Sequence, residues 1–448
     1  MKKVTLLAAG VLAAVAAAPS ANAYTPNAYF GGYFRSGVMS KRFNKSDDLV
    51  HQVGRLGAEN DTYGEIFLGT DVANVDDTVW SVNSRIAVSS QYNRDWQSTN
   101  NVVINNDSVS TDNVENTRFA LREFNLTVKG LLDFDKDATV WAGKRFYHRE
   151  DIHVTDLYYW DISGMGAGVE NLQVGPGKLS LAWLRRDDSQ TYVDNVDPIA
   201  TKNGFRSAHI FDVQYDFPAW DGANIEVRDT FLVPQRDNDS TTKKYFHPEN
   251  KFGKSNIFGV ELGQGYSLGW HKTVLKWTHG STARWVKFGT EAWFDDSGAS
   301  DKANRYSIYN FGQMNFTSNF GMFYTLNFTA SKNYDGNKTN LKNDRAFQVV
   351  VRPYVQLTKM TKVLVELGAY TQTEKYEEKT ETRNAQKYTV AYAITPDASN
   401  FWSRPELRIF ATYIHGKHDG MQSVDVSSWG DSAQNRNFLV GVQAEAWW

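Results

Sequence analysis

The chain has 448 residues, 14% of them aromatic, a net charge of -3 and no cysteine. Charges of both signs are interspersed, so neither nucleic acid nor an anionic membrane surface is offered a basic face. The missing cysteine excludes disulfides and a lipid-anchored N-terminus, and no later segment approaches the ~20 apolar residues of a membrane helix.

The N-terminus reads as an export leader. Lys2 and Lys3 precede the apolar run Val4–Ala18, and Ala21-Asn22-Ala23 supplies the small-x-small cleavage pattern. Residues 1–23 are therefore a cleaved signal peptide, and 24–448 form one domain, since no linker of Pro, Gly/Ser or charge-run type divides them. From there, period-two alternation marks strands with two unlike faces. In "GGYFRSGV", Tyr33 and Arg35 share one face, Phe34 and Val38 the other. In "RLGAENDTYGEIFLG", Tyr63 and Glu65 fall opposite Ile66 and Leu68. Arg118 to Leu131 mixes apolar and polar residues on both parities and reads as wall packed against protein rather than lipid. In "HREDIHV", Arg149, Asp151 and His153 line one face, with Ile152 and Val154 on the other. One Asp and one His are too few for a closed zinc site. Gly164 to Gly177 lacks the dinucleotide and phosphate-loop spacings and reads as turn chemistry. Neither a metal nor a cofactor is expected.

Clean alternation returns at Met322–Ala330, Val363–Tyr370, Tyr388–Ile394 and Glu406–Tyr413. Arg345 to Gln356 is mixed and is read like Arg118 to Leu131. Several segments hold the pattern for about 9–11 residues, enough to cross an outer membrane at a tilt. Soluble strands average about 5–6. Connections are either short, such as Leu357-Thr358-Lys359-Met360, or long and polar: 41–61, 97–116, 236–256, 331–344, 371–386 and 416–436. Short turns on one rim and long loops on the other predict an all-β antiparallel transmembrane barrel of about 16–18 strands, wide enough for an aqueous channel. The chain ends in "NFLVGVQAEAWW". Counting back by two from Trp448 gives an apolar, lipid-facing row, and from Trp447 a mostly polar, lumenal one.

Three stretches carry a family resemblance: "VWAGKRFYHREDIHVTDLYYWDISGMGAGVEN" (Val140–Asn171), "GGYFRSGV" with "RLGAENDTYGEIFLG", and "FWSRPELRIFATY" with the terminal "EAWW". Through them the chain resembles the maltoporin family, the oligosaccharide-specific trimeric porins of Gram-negative outer membranes. The resemblance implies an 18-stranded barrel in a homotrimer, with an inward-folded constriction loop and a ladder of aromatics along which glucose rings pass. It implies maltose and maltodextrins as cargo, with bacteriophage binding at the long loops a further property to test. Matched residue by residue, the ladder comprises Tyr33, Tyr63, Trp96, Phe294, Phe347 and Trp447. Trp96 would be lent to the neighbouring subunit's channel. The polar track comprises Arg35, Arg55, Glu65, Arg122, Arg149, Asp151, His153 and Asp156, and Tyr158 pinches the aperture.

Two departures bear on substrate preference: Phe347 falls where relatives carry Trp, and Glu150 adds a negative charge beside Asp151. They leave room for another cargo, a β-glucoside or sucrose. An exported carbohydrate-active enzyme is disfavoured. A glycosidase needs a carboxyl pair with one raised pKa, and Arg149 beside Asp151 and Asp156 opposes that.

Overall fold

The computed structural model describes residues 26–40, 46–59, 61–90, 104–105, 108–109, 117–193, 201–235, 254–280, 282–283, 302–333, 341–419 and 436–448. Eighteen strands form one sheet in which chain neighbours pair antiparallel. The first strand (Ala28–Met39) pairs with the last (Arg436–Trp447), setting Tyr33 opposite Trp447 and Arg35 opposite Glu445. The sheet thereby closes on itself and leaves no edge to aggregate.

Alternation of side chains decides which way each strand faces. On Thr380–Ile394, Tyr388, Val390, Tyr392 and Ile394 are exposed, while Ala385, Lys387, Thr389, Ala391 and Ala393 are buried inside. An apolar outer row with polar groups within is the arrangement a bilayer selects. At one rim the turns are tight. Asp76 and Asp77 both have positive φ (49° and 64°), the conformation of a two-residue hairpin turn.

One sequence expectation changes. Residues 371–386 are not a loop: strands Thr361–Tyr376 and Thr380–Ile394 leave only 377–379 between them. Their polar composition comes from lumenal side chains with partners, such as Gln372 donating to Asp344 at 3.0 Å and Arg383 paired to Glu374 at 3.1 Å. In Arg118 to Leu131, Phe119, Leu121 and Phe124 are exposed on the outer side of this chain. A register shift at Arg122 switches the parity and turns Arg122 and Glu123 to the lumen together. In Arg345–Gln356 the inner face packs against the helix Ser46–Val53. Gln348 donates to the Gln52 carbonyl at 2.6 Å, while Phe347 and Val355 stay exposed outside.

Two segments fold inward. The helix Ser46–Val53 ends at Gly54, whose positive φ (96°) lets its N–H reach the Val50 carbonyl at 3.0 Å. Lys387 Nζ then holds the Gly54 and Leu56 carbonyls at 2.5 and 2.7 Å. The second segment, 146–163, carries a small strand pair (Glu150–Ile152 with Leu157–Trp160) around the turn His153–Thr155. Ile152, Val154 and Leu157 are fully buried, and Tyr159 reaches across to Glu261 at 2.7 Å. The two segments join where the Arg55 N–H donates to the Val154 carbonyl at 2.9 Å.

Gly368 is what allows the first segment to lie flat on the wall, because a Cβ there would collide with the Val53 carbonyl. Gly368→Val is therefore expected to lift residues 46–59 off the barrel, raising single-channel conductance and its noise. Conductance equal to the parent's would show that the segment is held elsewhere.

Candidate functional site: the lumenal constriction

Alternation on the first two strands puts Tyr33, Arg35, Tyr63 and Glu65 on the lumenal side, as the sequence indicates. The Tyr33 and Tyr63 rings lie 6.1 Å apart, and the Arg35 guanidinium sits 5.3 Å from the Tyr63 ring. The Tyr63 hydroxyl donates to Glu65. Tyr33 donates to Glu445 at 3.0 Å and accepts from Arg55 at 2.8 Å. Arg55 also binds Glu59 (2.8 Å) and Glu445 (2.9 Å), and Arg35 reaches Glu59 (3.0 Å), Asp61 (2.9 Å) and Asp156 (3.8 Å). Each aromatic face thus adjoins a charge that is already paired.

Trp447 faces inward and Trp448 outward, as their parity requires. The Arg404 guanidinium lies 4.1 Å from the Trp447 ring, His153 is 5.9 Å away and Trp402 6.5 Å. Trp402 is a lumenal aromatic that alternation missed. It sits in the connection 395–405, where strand parity carries no information, although the family stretch "FWSRPELRIFATY" contains it. Its indole N–H donates to Gln313 at 2.8 Å, and its ring is 5.0 Å from His153.

Beside Tyr63, on the inward segment, Arg149 stacks 3.9 Å from Tyr158 and 4.4 Å from Phe146. Arg122 and Arg85 lie 4.9 and 5.1 Å from the same Phe146 ring. Phe146 and Arg85 were not legible as site residues, because the first begins a loop and the second lies beside the register shift. His153 belongs to a helical turn rather than to a strand face, and lies 3.5 Å from Arg55. Asp151 keeps an exposed edge while the inward segment crowds the rest of it. That partial desolvation, with Asp156 nearby, outweighs Arg149 and pushes its carboxyl up to about 6, opposite to the depression expected from the sequence.

Phe347 requires correction. Gln348, Val350 and Arg352 hold the inside of its strand, so Phe347 faces outward, 44% exposed, on the opposite side of the wall from Tyr33, Tyr63 and Trp447. Trp96 and Phe294 lie outside the described residues.

The Asp151 shift has a measurable consequence. A carboxyl titrating near 6 is neutral at pH 5 and charged at pH 7, so the lumen gains negative charge as pH rises. Cation preference, read as reversal potential in a salt gradient, is expected to increase over that interval and to stay flat in Asp151→Asn.

The sequence matches the family model described as LamB porin over residues 28–448. It is 33% identical to Maltoporin 1 of Klebsiella pneumoniae subsp. pneumoniae, covering 98% of this chain and 97% of that protein. Maltoporin 1 of Aeromonas salmonicida is 35% identical, with 97% of each chain covered. Maltoporin 2 of Yersinia pestis is 33% identical, covering 94% of this chain and 93% of the other. Solved structures show a weaker likeness. Acinetobacter baumannii OccAB2 is 6% identical over 94% of this chain and 98% of that one, with a TM-score of 0.49. With a family match spanning the barrel from its first strand to its last residue, the chain belongs to the LamB porin family and is a porin of the Gram-negative outer membrane.

Proposed function

We propose that this porin passes maltose and maltodextrins by facilitated diffusion, as a homotrimer. The observation that carries the reading is the lumenal row Tyr63, Tyr33, Trp447 and Trp402, set beside paired charges. A pyranose has apolar C–H faces and an equatorial belt of hydroxyls. Aromatic rings take the faces, at about 1–3 kcal/mol per stacked unit in comparable base stacking. Arginine donates to the hydroxyls and carboxylates accept from them, through charge-assisted bonds. Because Arg35, Arg55, Glu59, Asp61 and Glu445 already satisfy one another, each sugar contact exchanges one hydrogen bond for another. A row of moderate wells conducts, where one deep well would trap.

Trp96, lent by a neighbouring subunit, and Phe294 complete the proposed row. The relatives at 33–35% identity are named maltoporins, which supports this cargo over a β-glucoside or sucrose. Titrating maltotriose into planar-bilayer recordings tests the reading: current is expected to fall saturably with sugar. An open channel that maltotriose leaves unblocked would overturn it, and a stronger block by a β-glucoside would reassign the cargo.

A further inference from the structure

A second aromatic pair lies on the lumenal wall beyond the row described above. Tyr29 shares its face with Tyr33, four residues along the first strand toward the tight-turn rim, a distance of about 13 Å. Phe67 shares its face with Tyr63 and Glu65 on the second strand. The two rings are stacked, centroids 5.7 Å apart and planes 29° from parallel. Gly69 makes this possible. Any Cβ there would run into the Tyr29 ring, so the glycine lets that ring lie flat along the wall. The result is a platform of two rings, with Tyr29 still 36% exposed.

Polar groups suited to hydroxyls border it on one side. Tyr29 donates to Asn83 Oδ1 at 2.6 Å, and Asn83 Nδ2 donates to Asn125 at 3.3 Å. Arg85 lies 5.2 Å from the Phe67 ring and, neutralised by Glu65 (2.9 Å) and Glu123 (2.5 Å), offers donors without excess charge. A stacked pair with Tyr29 exposed and Phe67 half-buried, a row of amides and a neutralised guanidinium match a neutral pyranose. A wholly apolar ligand would leave these amides without use.

We propose that Tyr29 and Phe67, with Asn83 and Arg85, form an additional glucosyl-binding subsite on the tight-turn side of the constriction. It rests on the reading of the channel as a maltodextrin porin and extends it. A chain long enough to occupy the Tyr33–Trp447 row and this platform together gains affinity from both. Arg85 also acts as a positioning residue, holding Glu65 where the Tyr63 hydroxyl meets it.

The experiment compares bilayer block by maltotriose and by maltoheptaose in the parent, Tyr29→Ala, Phe67→Leu, Tyr29→Phe and Asn83→Ala. The parent is expected to bind the longer sugar more tightly. Tyr29→Ala and Phe67→Leu are expected to shrink that gain about three- to tenfold while leaving maltotriose block unchanged. Phe67→Leu keeps an apolar side chain beneath Arg85, so its loss reports stacking rather than folding. Tyr29→Phe keeps the ring and is expected to keep most of the gain, and Asn83→Ala to lose part of it. Parent-like gains in both Tyr29→Ala and Phe67→Leu would overturn the subsite. A parent channel blocked by neither sugar would instead overturn the maltodextrin reading beneath it.

Discussion

Trp447→Ala is expected to weaken maltotriose block by roughly five- to a hundredfold while leaving the sugar-free channel open. The size follows from losing one stacked unit, about 1–3 kcal/mol, at about 1.4 kcal/mol per factor of ten. The open state survives because the charges around the ring do not depend on it. Arg404, which lies over the Trp447 face, keeps two hydrogen bonds to Glu445 at 3.0 and 2.8 Å once the ring is gone. Trp402 lies 6.5 Å from Trp447, and both contact His153. Neighbours that share a partner couple, so Trp402→Ala should cost less once Trp447 is already absent. Phe347→Ala is the matched control: its ring points to the outer face, and maltotriose block should not change. Equal losses at Phe347 and Trp447 would mean that block does not occur on the lumenal row.

What the sequence conveyed divides along a physical line. Wherever a strand runs regularly, parity alone assigns a side chain to lipid or lumen, which is why Tyr33, Tyr63 and the two terminal tryptophans are placed as read. Parity fails where the backbone leaves the pleat. A one-residue register shift at Arg122 brings Phe119 and Phe124, which counting by two would set on opposite faces, to the same outer face. Trp402 stands in a connection and Phe146 at the mouth of a loop, so neither has a parity to read. Phe347 fails differently: its motif match pointed inward, while its own strand, with Gln348 and Arg352 inside, pointed outward. Where the two kinds of inference conflict, the pleat decides, since moving one side chain across the wall would move every other residue on the strand. The polar stretch 371–386 was mistaken for a loop for a related reason. Lumenal strands are polar on their inner face, and composition does not separate that from solvent exposure.

Glu445→Ala is expected to be the most damaging single change to the barrel, at about 3–5 kcal/mol, the usual cost of leaving buried charges without their partner. Its carboxylate is 1% exposed and gathers three guanidiniums: Arg55 at 2.9 Å, Arg404 at 2.8 Å and Arg408 at 3.3 Å. It also accepts from the Tyr33 hydroxyl at 3.0 Å. Removing it leaves three cations sharing Glu59 and Glu406, and frees the arginine that ties the inward segment 46–59 to the last strand. Three readouts should therefore move together. The temperature at which the folded form is lost, followed by electrophoresis of unboiled samples, should fall. Open-channel conductance should rise as the segment loosens, and maltotriose block should weaken as Tyr33 loses its anchor. Glu445→Gln keeps an acceptor but not the charge and should fall between the parent and the alanine variant. Glu377→Ala provides the comparison, since its pair with Lys342 at 3.2 Å is more than half exposed on both sides and should be worth under about 1 kcal/mol. If Glu445→Ala melts like Glu377→Ala, the buried cluster does not hold the inward segment. If stability falls while conductance and block stay at parental values, the cluster stabilises the wall alone and the segment is held by Glu366 and Lys387 instead, which contact Leu56 and Gly54 independently.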